Sequence, residues 1–366
     1  MRSKNIGYFP EFDHIRAYAA LLVIFYHGLK LITSSILGAQ ASSHLPFNSN
    51  PLLAILYEGH TAVALFMVLS GFIFTYGLQG EKIIYHRFIF NRILRIYPLF
   101  LLVLFIGLAA YPQNFTFVVF LQTIFGFANA PGRLSLGSFS SMFWTISIEW
   151  QFYLIFPFIY AFAQKKGASY LWGLLLLFIS FRTLSWLEGA TMKELTYWTI
   201  AGRIDQFLIG MILGLSYNRF KESKHLLKLS FPLVLMALGG LLYFFHFSGG
   251  LAAEHGWKVI WPTLEGGIWA LFILTYAPVS AYVGPYFSKR LAQLGTISFS
   301  LYLLHFTIIK MVIRTELFLG IDFFDPVFVA LLTTLFVVLP ITILLAFLTY
   351  NFIEKPFLEL RKNYRQ

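Results

Sequence analysis

His14-Ile15-Arg16-Ala17-Tyr18-Ala19-Ala20-Leu21-Leu22-Val23-Ile24-Phe25-Tyr26-His27 is apolar enough to enter a membrane, yet it carries Arg16 and, at its two ends, His14 and His27. A charge near the bilayer centre costs at least ~2.5–3.5 kcal/mol, so Arg16 and His27 mark a functional site whose partners must be sought. Composition settles the solvent. With 58% hydrophobic and 12% charged residues among 366, and a mean hydropathy of +0.73, polar surface is too scarce to wrap a globule of this length in water. Apolar stretches recur at roughly 18–25 residues, the length that crosses about 30 Å of hydrocarbon as helix, and none alternates like a barrel strand. The sequence therefore predicts an all-α integral membrane protein.

Candidate spans lie near 14–34, 58–79, 93–111, 142–163, 169–186, 200–218, 229–247, 259–278, 293–313 and 326–350. A further stretch, 114–128, is short and ends in Asn129-Ala130-Pro131-Gly132, so it reads as re-entrant or interfacial. Charge decides the topology. With the N-terminus cytoplasmic and 114–128 not crossing, the inner connections hold Lys82, Arg87, Arg92, Lys165, Lys166, Arg219, Lys221, Lys224, Lys228, Lys289 and Arg290. The outer ones hold few cations, and 35–57 holds none, as the positive-inside rule asks. We expect about ten spans with both termini cytoplasmic, one transmembrane domain over 8–357, and a short basic cytoplasmic tail over 358–366. The net charge of +11 is then an orientation signal instead of a nucleic-acid footprint. Arg2 and Lys4 precede no small-residue cleavage site, so no removable signal peptide is expected. Zero cysteines leave Ser, His or a carboxylate for any covalent chemistry. No metal site is expected.

Depth along the spans sorts the polar residues into two layers. Arg16 lies in the first turn of span one, and Arg92 and Arg95 stand one turn apart at the start of span three, three guanidiniums at one level that suit phosphate. Counting ~1.5 Å per residue puts His27 and Glu149 deeper, at one level near mid-membrane, with Tyr302 and His305 beside them. Arg92, Arg95 and Arg16 could instead be snorkelling anchors, and His27 a core histidine bonded to a neighbouring helix. Glu149 is harder to explain structurally, because so deep a carboxylate needs a proton or a partner. Ser70, in Leu69-Ser70-Gly71, lacks the strand–turn–helix setting of a nucleophile elbow and suits close helix packing. Arg203 and Asp205 are either an interhelical clamp or the lining of an outward-facing pocket.

The chain resembles the acyltransferase 3 family of bacterial membrane O-acyltransferases, from about Phe12 to Pro356. The resemblance rests on Asp13 with Arg16-x10-His27, Phe66-to-Phe72 containing Ser70, Arg92-x-x-Arg95-Ile-Tyr-Pro98, Trp144-to-Tyr153 with Glu149, Arg203-to-Gly214, Gly295-to-His305, and Glu354-Lys355-Pro356-Phe357. His14 and Tyr18 stand where small residues are usual, and Trp150 where a polar one is common.

The resemblance implies transfer of an acyl group, most often acetyl, from cytoplasmic acyl-CoA (acetyl-CoA) to a hydroxyl of a carbohydrate or glycolipid acceptor at the outer face of the bacterial inner membrane. The two layers fit that independently. Arg16, Arg92 and Arg95 would hold the CoA phosphates bidentately. His27 would take the acceptor proton as general base and return it to the thiolate, and Glu149 would orient that ring. Asp13, Ser70, Trp144, Tyr153, Arg203, Asp205, Tyr302 and His305 become supporting or acceptor-side residues. A covalent route through an acylated His27 or Ser70 stays open. O-antigen or exopolysaccharide precursors are the first acceptors to consider; a glucan, a lipid head group or a small hydrophobic molecule are alternatives. Without a fused soluble domain, the protein would finish transfer alone or hand the acyl group to a separate periplasmic enzyme. A proton-coupled transporter would also bury Arg, His and Glu, but it has no obvious use for three cytoplasmic arginines, and no internal repeat is visible. A structural or assembly protein is the third option.

Overall fold

The computed structural model describes residues 7–38, 51–78, 80–321 and 323–366. Arg2, Lys4 and much of the first outer connection lie outside them. In lipid every backbone polar group must be satisfied within its own segment, so apolar stretches become helices. Among the described residues eight helices are long and apolar enough to cross a membrane, or up to ten when each of two bent pairs counts as one span. They are α1 (Pro10–Leu37), α2 (Gly59–Leu78), α3 (Tyr85–Ala110), α4 (Gly137–Lys166) and α5 (Ala168–Leu187). Next come α6 (Met192–Trp198 bent by 44° into Ile200–Phe220), α7 (Lys224–Phe247) and α8 (Trp261–Tyr282). The last are α9 (Pro285–Thr296 bent by 70° into Ser298–Arg314) and α10 (Pro326–Glu359). Every expected span overlaps one of these, and no strand forms among the described residues. Within 114–128 only Phe117–Ile124 is helical; eight residues make about 12 Å, too short to cross.

Small residues set the centre of the bundle. A Cβ on Gly71 would meet the Phe207 carbonyl oxygen at 2.1 Å, and one on Gly210 the Val68 carbonyl oxygen at 2.0 Å, so α2 and α6 touch backbone to backbone. The most apolar window of α2 is 89% buried, against 17% for α5 and 22% for α7, which places α2 inside and those two at the lipid boundary. Gly295 in α9 lies as close to the Asp13 backbone of α1. Two π-turns, Thr334–Val338 and Tyr350–Glu354, interrupt α10, and the second carries Glu354 into the bundle.

Phe9 packs on Tyr76, and residues 82–84 hydrogen-bond to 364–366. The start of α1, the α2–α3 connection and segment 358–366 therefore share one end of the bundle. Segment 358–366, the expected basic tail, is docked at that end.

Candidate active site

A cavity of about 270 Å³ penetrates the bundle from that shared end, between α1, α2, α3, α4 and the bend of α9. Arg16, Arg92 and Arg95 line it, together with Arg361 of segment 358–366. Arg16 is ion-paired with Asp13 one turn before it. Arg95 reaches the fully buried Glu354 at 2.9 Å, and Glu354 also accepts from Ser300. Arg92 lies over the rings of Phe74, Phe88 and Tyr153 at 4.9, 5.4 and 5.5 Å. Its Nε is buried with no hydrogen-bond partner among the described residues, the kind of orphaned donor that a bound anion satisfies.

Ser70, Glu149, Tyr153 and Tyr302 line the deeper part. Glu149 accepts from the Tyr153 hydroxyl, and weakly from Ser70 Oγ at 3.4 Å. Thr145 Oγ1, one turn away on α4, bonds the Tyr302 hydroxyl at 2.8 Å. The Phe66 and Tyr302 rings, 6.1 Å apart and edge-on, form the deep wall. Trp144 turns away from the cavity to pack on Tyr197 and Trp198.

His27 stands beyond that wall, and its partner is not Glu149. His27 Nδ1 and His305 Nε2 are 2.9 Å apart. His305 Nδ1 is 2.6 Å from the Tyr302 carbonyl oxygen, which can only accept. His305 therefore carries its proton on Nδ1, and in the neutral ring its Nε2 is an acceptor. It follows that His27 donates from Nδ1 and keeps the lone pair on Nε2. This is the tautomer logic of a catalytic histidine held by a third group, with an imidazole in the orienting place. The expected common level of Glu149 and His27 is not observed. From the Thr145–Tyr302 contact, Glu149 lies a turn toward the shared end and His305 nearly a turn the other way, a separation of roughly 10 Å.

Arg203 and Asp205 divide the two readings between them. Asp205 is a clamp, although its partner is Arg182 of α5, not Arg203. The guanidinium grips it with two hydrogen bonds of 2.9 and 2.6 Å, both side chains are wholly buried, and Arg182 Nε also donates to Val259 O. Arg203 faces a small pocket at the opposite end of the bundle with His60, Lys193 and Lys258, paired to Glu265 at 3.2 Å and stacked on Tyr197 at 4.4 Å. Behind it, Glu58 bridges His60 and His246 at 2.9 and 2.6 Å. Burial raises the Glu58 carboxyl, but hydrogen bonds from the two imidazoles outweigh it and hold the group below its usual range. Burial lowers Lys258 to about 8. Arg361, Arg182 and the Glu58–His60–His246 cluster were missed in the sequence, and Glu354 stood there only within the closing block of the resemblance. Only Arg182, alone within an apolar run, carried a readable signal.

A cavity lined by convergent guanidiniums, inside a bundle of membrane-spanning helices, defines the class: a multi-pass membrane protein with a cation-lined internal site. Comparison with known proteins names it: a family model described as an acyltransferase domain matches residues 9–351, and the chain belongs to that family. It is 25% identical to the "Putative O-acetyltransferase" of Staphylococcus aureus (strain COL) over 393 residues, covering 97% of this chain and 58% of that protein. It is 26% identical to the "Putative peptidoglycan O-acetyltransferase" of Bacillus subtilis (strain 168) over 397 residues, covering 97% of this chain and 56% of the other. The chain thus spans less than two thirds of the length of the curated relatives it matches. No solved structure matches it.

Proposed function

We propose that this protein is a membrane O-acyltransferase that moves an acetyl group from cytoplasmic acetyl-CoA to a carbohydrate hydroxyl at the outer face of the bacterial inner membrane. The observation that supports the reading is the hydrogen-bonded series Tyr302 carbonyl, His305, His27 beside a guanidinium-lined cavity. The shared end, rich in Lys and Arg, faces the cytoplasm on this reading, so both termini do too. Arg16, Arg92 and Arg95 take the CoA phosphates. From Arg16 to His27 the helix rises ~16 Å, a span that an extended pantetheine arm covers, and Glu149 holds Tyr153 and Ser70 along that path. Transfer requires the Phe66–Tyr302 pair to part.

His27 Nε2 then takes the proton of the acceptor hydroxyl as its oxygen attacks the thioester carbonyl. The same nitrogen returns that proton to the departing thiolate, so the charge on the site is unchanged at the end of the cycle. Orientation of His27 belongs to His305 and not to Glu149. The names of the relatives favour a cell-wall or other surface glycan as acceptor, peptidoglycan among them, beside the O-antigen and exopolysaccharide precursors that the sequence suggested. Mass spectrometry of surface glycans from cells with the gene, without it, and with His27→Ala tests the proposal. Ester should be lost in the last two at normal protein level; unchanged O-acetylation would overturn it.

A further inference from the structure

Segment 358–366 is tied down along its length. Tyr364 is 1% exposed, its ring edge-on to Phe88 at 5.3 Å. Lys82 and Gln366 exchange two backbone hydrogen bonds of 3.0 Å, and Ile84 N donates to Tyr364 O at 2.8 Å. The Asn91 side chain holds the Lys362 backbone from both sides, donating to its oxygen at 2.7 Å and accepting from its nitrogen at 2.9 Å. Arg365 is ion-paired with Glu81. Short stretches flanking a domain are ordered only where something holds them, and this one is held so that Leu358 and Arg361 form part of the cavity wall.

Arg361 adds a further guanidinium to the cavity wall. Four guanidiniums, Arg16, Arg92, Arg95 and Arg361, line one cavity, where Arg16 is paired with Asp13 and Arg95 with Glu354. Burial and the nearby Arg92 and Arg95 push the Arg361 guanidinium down to about 9. Arg92 adds its buried, unpartnered Nε. Convergent like charges beside an orphaned donor are what a multiply charged anion relieves, and planar guanidiniums match phosphate oxygens in pairs.

We propose that segment 358–366 is part of the donor site: it seats Arg361 as a phosphate-binding residue, which makes the cavity select thioesters carried on a polyphosphate nucleotide over the same acyl group on a phosphate-free thiol. The inference rests on the donor reading above. The test uses the full chain in nanodiscs, with acetyl-CoA and acetyl-pantetheine as alternative donors. Arg361→Gln should raise KM for acetyl-CoA about tenfold or more, leave kcat within twofold, and leave KM for acetyl-pantetheine unchanged. Tyr364→Ala, which loosens the strap without touching the charge, should move the same way, and Lys289→Gln, an exposed cation at the same end, should move neither constant. Arg361→Lys should recover part of the loss. An unchanged KM for acetyl-CoA in Arg361→Gln, or an equal rise for both donors, overturns the inference alone. A wild-type protein that turns over neither thioester and shows no CoA-induced thermal shift removes the proposed function and this inference with it.

Discussion

Removing His305 tests the proton order at the centre of the site. In the structure its Nε2 accepts from His27 Nδ1 at 2.9 Å. His305→Ala leaves that N–H unpaired away from water, a cost of about 1–3 kcal/mol, which at 1.36 kcal/mol per decade is roughly 5–150-fold in rate. The ring is also free to place its proton on Nε2, where it cannot act as base. We therefore expect kcat to fall about 10–100-fold with KM for acetyl-CoA unchanged, a smaller loss than the ~10²–10⁴ expected for removing the base itself in His27→Ala. His305→Gln, whose amide oxygen can accept the same proton, should recover part of the rate. The decisive assay is a double-mutant cycle on initial rates of acetyl transfer. If His305 acts only through His27, then His27→Ala with His305→Ala is no slower than His27→Ala alone. Losses that multiply, or a His305→Ala enzyme with full kcat, would refute the relay.

Asp205→Asn breaks the wholly buried pair with Arg182 while leaving that guanidinium in place, and removing one partner of such a pair costs about 3–5 kcal/mol. Thermal unfolding in detergent should show a drop of several degrees, with activity per folded molecule little changed. Gly71→Ala forces a methyl against the Phe207 carbonyl at the α2–α6 contact; overpacking of this kind costs about 1–3 kcal/mol or more. Yield of monodisperse protein should fall, whereas Gly173→Ala, where nothing lies within 4 Å, should not change it. Glu58 predicts an acid limb at the opposite end of the bundle. Its folded-state carboxyl is held below the ordinary 4.5, so its contribution to stability is complete above that value and disappears as pH falls through the lower folded-state value. Melting temperature followed from pH 6 to pH 3 should decline below about 4.5, and Glu58→Gln should flatten that decline.

The sequence alone determined that the chain is a bundle of about ten helices and where they lie, and its charge pattern argued against a crossing at 114–128. These are one-dimensional properties: lipid leaves a spanning backbone no option but helix, so apolar length and Gly/Pro punctuation suffice. It also determined which polar residues were out of place, because the cost of burying Arg16, His27 and Glu149 does not depend on their neighbours. Partners were a different matter. Counting from predicted ends put His27 and Glu149 at one depth, but α1 runs 28 residues and α4 runs 30, well beyond the ~20 that cross the hydrocarbon, so helix ends are poor markers of level. Which side chains meet depends on the rotation of each helix, on the bends after Trp198 and Thr296, and on a π-turn that swings Glu354 toward Arg95. Those follow from the sum of contacts between segments far apart in the chain. Only the tertiary structure could therefore give His27 to His305, Asp205 to Arg182, and Arg361 to the cavity.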